Sequence, residues 1–165
     1  WPTHSGKIES YSQQLSELGL DPMPVHVPEV EGLSGVDESS PYPLQVFSAA
    51  THYFIGSTFQ HVEHLQNMLS RPTFELSPQD ANKRSIVEGD YCRLFNDRGE
   101  VFGHAHIVKG LRPGVLGAPK QLQGSKMKNG FNLNALTSQR EADMGRGPVY
   151  YSTLAEIEKA DAGLA

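Results

Sequence analysis

The tetrapeptide Asn96-Asp97-Arg98-Gly99 constrains this chain more than any other segment. It sits between residues 91–96 and 100–108, two runs in which apolar and polar side chains alternate. Alternation with a period of two places one face of a strand inward and the other outward, so the pair reads as a β-hairpin. Gly99 is expected to supply the positive φ that such a tight connection usually needs.

The rest of the chain reads in the same short-strand style. Residues 44–50 form an apolar run suited to a buried strand, and Phe74 and Leu76 alternate with polar neighbours. Arg112-Pro113-Gly114 is a turn leading into an apolar strand over 115–118. Residues 131–136 are apolar but carry Asn132 and Asn134, and a strand there would point both asparagines to one face. Val149, Tyr151, Thr153, Ala155 and Ile157 alternate as a final strand would. Residues 120–130 are rich in Lys, Gln, Ser and Gly and read as a mobile loop.

Helical signals are few. Ile8, Tyr11, Leu15 and Leu18 recur at helical spacing, with Gly19 as the C-cap. A helix is expected through Val62 and Leu65. Another covers 78–84, with Ser77 as N-cap, Pro78 at the first position and Asp80 in the first turn. Between them, residues 21–43 carry Pro22, Pro24, Pro28, Pro41 and Pro43. Proline fixes φ and removes a backbone donor, so an extended connector is expected there. Many short strands with tight turns and small helices predict a mainly β fold, a barrel with helical insertions; periodicity alone does not name its type. The division expected is a lead-in helix and Pro-rich connector over 1–43 and a barrel over 44–165.

Composition removes several function classes. A chain of 165 residues can bury roughly 70% of its unfolded surface without a staple. The net charge of -5, with no long basic cluster, argues against nucleic acid and anionic membranes as partners. No apolar run approaches a membrane span, so no direct membrane contact is expected. The single cysteine, Cys92, can form neither an internal disulfide nor a thiolate cage, and it reads as a small core residue. His61 and His64, or His104 and His106, could share a face, but neither pair has a third ligand nearby. With no Ser-His-Asp set, Walker loop or GxGxxG, the expectation is no catalytic residue and no metal ligand. The sequence opens at Trp1 rather than at a methionine and has no signal-peptide pattern there, so it reads as a piece of a longer protein.

Four motifs in order then resemble a known family. The first is Trp1-Pro2-Thr3-His4-Ser5-Gly6-Lys7-Ile8-Glu9 followed by Gly19-Leu20-Asp21-Pro22, and the second is His52-Tyr53-Phe54-Ile55-Gly56-Ser57-Thr58-Phe59. The third is Pro78-Gln79-Asp80-Ala81, Ile86, Gly89-Asp90 and Asn96-Asp97-Arg98-Gly99 with Ala105. The last is Asn132-Leu133-Asn134-Ala135-Leu136-Thr137. Together they resemble the C-terminal molybdopterin-dinucleotide-binding domain of the dimethyl-sulfoxide-reductase superfamily. The resemblance implies a six-stranded double-psi β-barrel of the aspartate-decarboxylase-like class. It implies a molybdopterin guanine dinucleotide cofactor carrying molybdenum or tungsten, usually in two copies per metal. The metal ligand and any iron-sulfur cluster would lie in other domains of the same catalytic subunit, with an iron-sulfur electron-transfer subunit as a further partner. The fragment alone is not expected to be catalytic. Substrate and compartment are not indicated, since cytoplasmic and exported relatives both exist. Gly56 stands where many relatives carry His or Asn, Phe54 where one branch carries Arg, Ser85 where Gly is common and Cys92 where an aliphatic residue is common.

Such a ligand would present a pyrophosphate and two flat polar heterocycles. A buried pyrophosphate needs donors, which backbone N–H groups and hydroxyls in an irregular turn can supply. Gly56, Ser57 and Thr58 suit that role, although Gly-Ser-Thr is equally an N-cap turn on its own. His52 reads either as a phosphate or ring-edge partner or as a histidine bonded to backbone. Tyr53, Phe54 and Phe59 are core residues by default, and one of them could stack on a heterocycle. Asn132 and Asn134 offer the paired donor and acceptor that pterin and guanine edges require, or else form a turn. Tyr151 and Lys159 are weaker candidates of the same kind. The alternative class is a free-standing double-psi barrel acting as a binding or assembly module without redox activity; a small hydrolase lacks a nucleophile-base pair.

Overall fold

A computed structural model describes residues 1–161 apart from 24, 38, 70 and 121–123. Six strands form its body: β1 (Leu44–Ala49), β2 (Thr73–Leu76), β3 (Tyr91–Asn96), β4 (Gly99–Ile107), β5 (Val115–Pro119) and β6 (Leu154–Lys159). They close into a barrel in the order β1-β5-β2-β4-β3-β6. β1 runs parallel to β5 and β2 parallel to β4, while the other four neighbours are antiparallel. Exchanging β1, β2 and β3 with β4, β5 and β6 leaves this order and every pairing sense unchanged. That internal two-fold, with each half crossing into the other, is the double-psi barrel that the resemblance implied.

The core follows from alternation. Leu44 and Val46 of β1, Phe74 and Leu76 of β2, Cys92 and Leu94 of β3, Val101 and Ala105 of β4, Leu116 of β5, and Ala155 and Ile157 of β6 all point inward and are buried. Cys92 is a core residue, and burial pushes its thiol up to about 11, so it stays protonated at neutral pH.

Local chemistry explains the third helix. Ser77 Oγ accepts from the Asp80 amide, and Pro78 opens α3 (Pro78–Lys83), as its capping pattern predicts. The buried Asp80 carboxylate then accepts from Ser77 Oγ at 2.6 Å and from the Gly114 amide at 2.9 Å. It therefore ties α3 to the turn that launches β5.

Several expectations are corrected. The first helix, α1 (Gln13–Glu17), is shorter than predicted: Ser12 caps it, so Ile8 and Tyr11 lie outside and are exposed. Its apolar spacing matches no packed face, whereas Gly19 does adopt the left-handed conformation of a C-cap. Gly99 does not have a positive φ. Instead it is the first residue of β4, and a Cβ there would sit 3.1 Å from the Ala135 carbonyl oxygen. Residues 131–136 are not a strand, because Leu133–Leu136 form a 3-10 turn that Asn132 caps. The last strand begins at Leu154, and residues 149–153 precede it as turn and extended chain. Of the segment expected to be mobile, 121–123 lie outside the described residues. Its later part is packed against the barrel: Met127 is buried, and the Asn129 side chain donates to the Glu100 carbonyl.

Over 25–37 and 39–43 the connector holds no regular element but the 3-10 turn Leu33–Gly35. It is held to the barrel by Glu31, which takes two hydrogen bonds from the Arg98 guanidinium at 2.7 and 2.8 Å. A helix, α2 (Glu63–Met68), fills part of the long link from β1 to β2.

These contacts have measurable effects on stability. Asp80→Ala leaves the Gly114 amide and Ser77 hydroxyl without their partner, and a loss of about 2–4 kcal/mol is expected; thermal denaturation followed by circular dichroism measures it. Hydrogen bonds from Arg98 hold the Glu31 carboxyl below its usual range, and the bond from Lys159 does the same for Asp90. A lowered folded pKa means the stabilisation is complete above the ordinary carboxylate value and disappears as pH falls through the folded one. Denaturation midpoints should therefore drop on acidification below pH ~4, with a shallower drop in Glu31→Gln.

Candidate cofactor cleft

β1 and β5 are parallel neighbours, so their chains leave the barrel at the same end. Ala49 pairs with Pro119, and the Lys120 amide continues the ladder to the Ala49 carbonyl at 3.1 Å. Beside them the chain enters β6. The Thr153 carbonyl accepts from the Val46 amide, and the Tyr151 hydroxyl lies 3.4 Å from the Ser48 carbonyl. The 3-10 turn Leu133–Leu136 covers the same end. Four segments distant in sequence thus meet around one cleft.

Its main cavity, about 100 Å³, is lined by Ser48, Lys120, Asn134, Thr137, Tyr150 and Tyr151 together with apolar Val46 and Leu133. A smaller cavity of about 50 Å³ adjoins it through Lys120 and is lined by Thr51, Phe54 and Gly56. Among the described residues, the lining mixes hydroxyls, a carboxamide and one cation, and holds no carboxylate. That donor set suits an anionic ligand carrying heterocycle edges.

The loop after β1 is built for close approach. Thr51 Oγ1 accepts from the Tyr53 and Phe54 amides, which starts the turn. Gly56 has φ +60° and Phe59 φ +69°. For a phenylalanine that conformation costs on the order of 1–3 kcal/mol and needs support from its surroundings. Gln60 supplies it: its side chain is buried and donates to the Gly56 carbonyl at 2.9 Å, while the Thr58 amide closes back on Ile55.

The expected site residues divide. Asn134 and Tyr151 line the main cavity, and Phe54 and Gly56 line the smaller one. Ser57, Thr58 and Phe59 form the exposed tip of the loop. His52 and Tyr53 face a separate groove of about 270 Å³ with Phe47, Leu69 and Glu75, on the outer side of the barrel. Asn132 is committed to its neighbour, with Oδ1 accepting from the Asn134 amide at 3.0 Å. The asparagines therefore do not project together: one caps the turn and the other faces the cleft. Lys159 sits at the far end of β6 and pairs with Asp90 at 2.8 Å. His104 and His106 likewise bond elsewhere, to the Gly89 carbonyl and to Glu88.

Sequence reasoning misses Lys120, Gln60 and the role of Asn96. Lys120 lies inside a stretch that reads as loop, and only the β1–β5 pairing brings it to the cleft. Asn96 reads as a turn residue. Its buried Nδ2 instead donates to the Leu136 and Leu154 carbonyls, both at 2.9 Å, while Oδ1 accepts from the Arg98 amide at 3.0 Å. One carboxamide thus fixes both the 3-10 turn carrying Asn134 and the entry to β6 beyond Tyr151.

Comparison with known proteins bears on the family and the fold. Residues 44–154 match the family described as "Molydopterin dinucleotide binding domain". The chain belongs to this family. Its relatives include the dimethyl sulfoxide reductase DmsA of Escherichia coli, 33% identical over 171 residues, and the probable oxidoreductase YoaE of Bacillus subtilis, 33% identical over 161. The alignments cover 95% and 96% of this chain but only 21% and 22% of those proteins, so the chain spans about a fifth of the curated relatives it matches. Among solved structures, acetylene hydratase from Pelobacter acetylenicus superposes with a TM-score of 0.83 at 20% identity, over 96% of this chain and 24% of that one. That likeness establishes the shared fold. Family membership makes the chain a molybdopterin-dinucleotide-binding domain of the dimethyl-sulfoxide-reductase superfamily.

Gln60→Ala removes the bond that holds Gly56, so amide exchange at residues 56–59 should quicken by up to roughly tenfold. Exchange in the barrel strands should stay unchanged. Equal exchange in both proteins would show that Gln60 does not brace the loop.

Proposed function

We propose that this domain forms one wall of the cofactor site in a larger molybdenum- or tungsten-dependent oxidoreductase, and that the cofactor is the guanine dinucleotide form in a bis-pterin arrangement. The observation that carries the reading is the cleft where the loop after β1, Lys120, Asn134 and Tyr151 converge. The residues fit such a group: donors without a carboxylate suit phosphate oxygens, and glycine in a left-handed conformation lets the ligand meet backbone N–H groups directly. The cavities are small beside the ~300–1,000 Å³ of an enclosing ligand pocket. This supports a cofactor gripped from one side here and from the other by further domains of the subunit.

In this reading Gly56, Ser57 and Thr58 present donors to the dinucleotide phosphates, with Phe59 and Phe54 shaping the loop. Asn134 and Tyr151 take polar edges of the heterocycles, and Asn132 positions Asn134. His52 and Tyr53 flank the loop on its outer side, where Tyr53 offers a flat surface for a ring. The bound metal would supply two-electron redox chemistry, while these residues bind, orient and exclude water. Iron-sulfur clusters and an iron-sulfur partner subunit belong to the parent enzyme and not to this chain. The barrel domain begins at 44, and 1–43 serve as the approach to it.

The test uses the full-length catalytic subunit. Nucleotide released by acid hydrolysis and pterin fluorescence report cofactor per protein. Gly56→Ala and Asn134→Ala should each lower that content several-fold while the circular dichroism spectrum stays native. Full cofactor content in both variants would sink the placement of the ligand in this cleft.

A further inference from the structure

Lys120 lines both the main and the smaller cavity, and it is the only charged side chain among the described residues that line either. Among the described residues it has no ion-pair partner, whereas Arg84, Arg93, Arg98 and Lys159 are each paired with a carboxylate. Among the described residues Lys83, Lys109 and Arg112 also lack a carboxylate partner, but they are exposed, whereas Lys120 is turned into the cleft. Its backbone is fixed at the exit of β5 by the bond to Ala49, and its side chain is half-buried. A half-buried cation facing hydroxyls and a carboxamide is complementary to a multiply charged anion.

We infer that Lys120 is a cofactor-binding residue that supplies the positive charge for the dinucleotide's pyrophosphate, bridging the loop after β1 and the Asn134 turn. This rests on the reading that the cleft holds the cofactor. Backbone donors of the loop set the position of the phosphates. Lys120 neutralises them, which no other described residue in the cleft can do.

The test compares full-length subunits carrying Lys120, Lys120→Gln and Lys120→Arg. Each is purified with its cofactor, and the half-time of cofactor loss is followed below the melting temperature at low and high salt, by released nucleotide and pterin fluorescence. Lys120→Gln should lose cofactor about five- to tenfold faster than wild type at low salt, and Lys120→Arg within twofold of it. Because salt screens a charge pair but not packing, added salt should speed loss from wild type and barely affect Lys120→Gln. Equal half-times for wild type and Lys120→Gln, or identical salt responses, would overturn the assignment and leave the cleft reading standing. A wild-type subunit that holds no pterin nucleotide would instead overturn the cleft reading itself, and this inference with it.

Discussion

Much of this structure depends on one buried carboxamide. Asn96 closes the hairpin, holds the 3-10 turn at Leu136 and holds the chain entering β6 at Leu154. Its neighbours work with it. Asp97 accepts from the Tyr42 hydroxyl at 2.6 Å, Arg98 reaches both the Leu136 carbonyl and Glu31, and Gly99 leaves room for the Ala135 carbonyl. Each residue of the turn therefore makes its own contact outside it. A buried amide of this kind is costly when unsatisfied and specific when satisfied. Here it places two cleft segments relative to a third element that never touches the cleft.

The cleft itself follows from strand direction. Parallel pairing of β1 with β5 sends two unrelated segments out of the same end of the barrel. Irregular backbone is needed there in any case, so glycine and strained φ can be accommodated without breaking a ladder. The barrel is the rigid part and the cleft is assembled from its exits. The same barrel superposes on a protein named as a hydratase, while relatives at higher identity are named as reductases. The barrel architecture by itself therefore does not identify a reaction.

Strands are legible in the sequence wherever alternation is strict, as in residues 91–96 and 100–107, and so is the capped helix beginning at Pro78. Short-range chemistry determines both. The family motifs imply the fold class and make Gly56 and Asn134 candidates, while Tyr151, outside those motifs, is a weaker candidate. Contacts set by pairing between distant strands leave no such local trace. Lys120 reaches the cleft only because Pro119 lies beside Ala49. Gly99 is glycine because of Ala135, some thirty-six positions away in the chain. The spacing of Ile8 and Tyr11 misleads because a helical period says nothing about whether a packing partner exists. Asn132 and Asn134 mislead as a strand pair because an asparagine that caps a turn and one that lines a cleft share the same local signature.

No strand of the first half of the barrel pairs with another of its own half, and the same holds for the second: β1, β2 and β3 hydrogen-bond only to β4, β5 and β6. Neither half is therefore a sheet by itself, and every ladder of the barrel joins one half to the other. Apart from the β3–β4 hairpin, each pairing spans a long stretch of chain. Such a topology folds slowly for its size. The cleft is complete only once Tyr150, Tyr151 and Thr153, the residues that lead into β6, have joined the other three segments that line it.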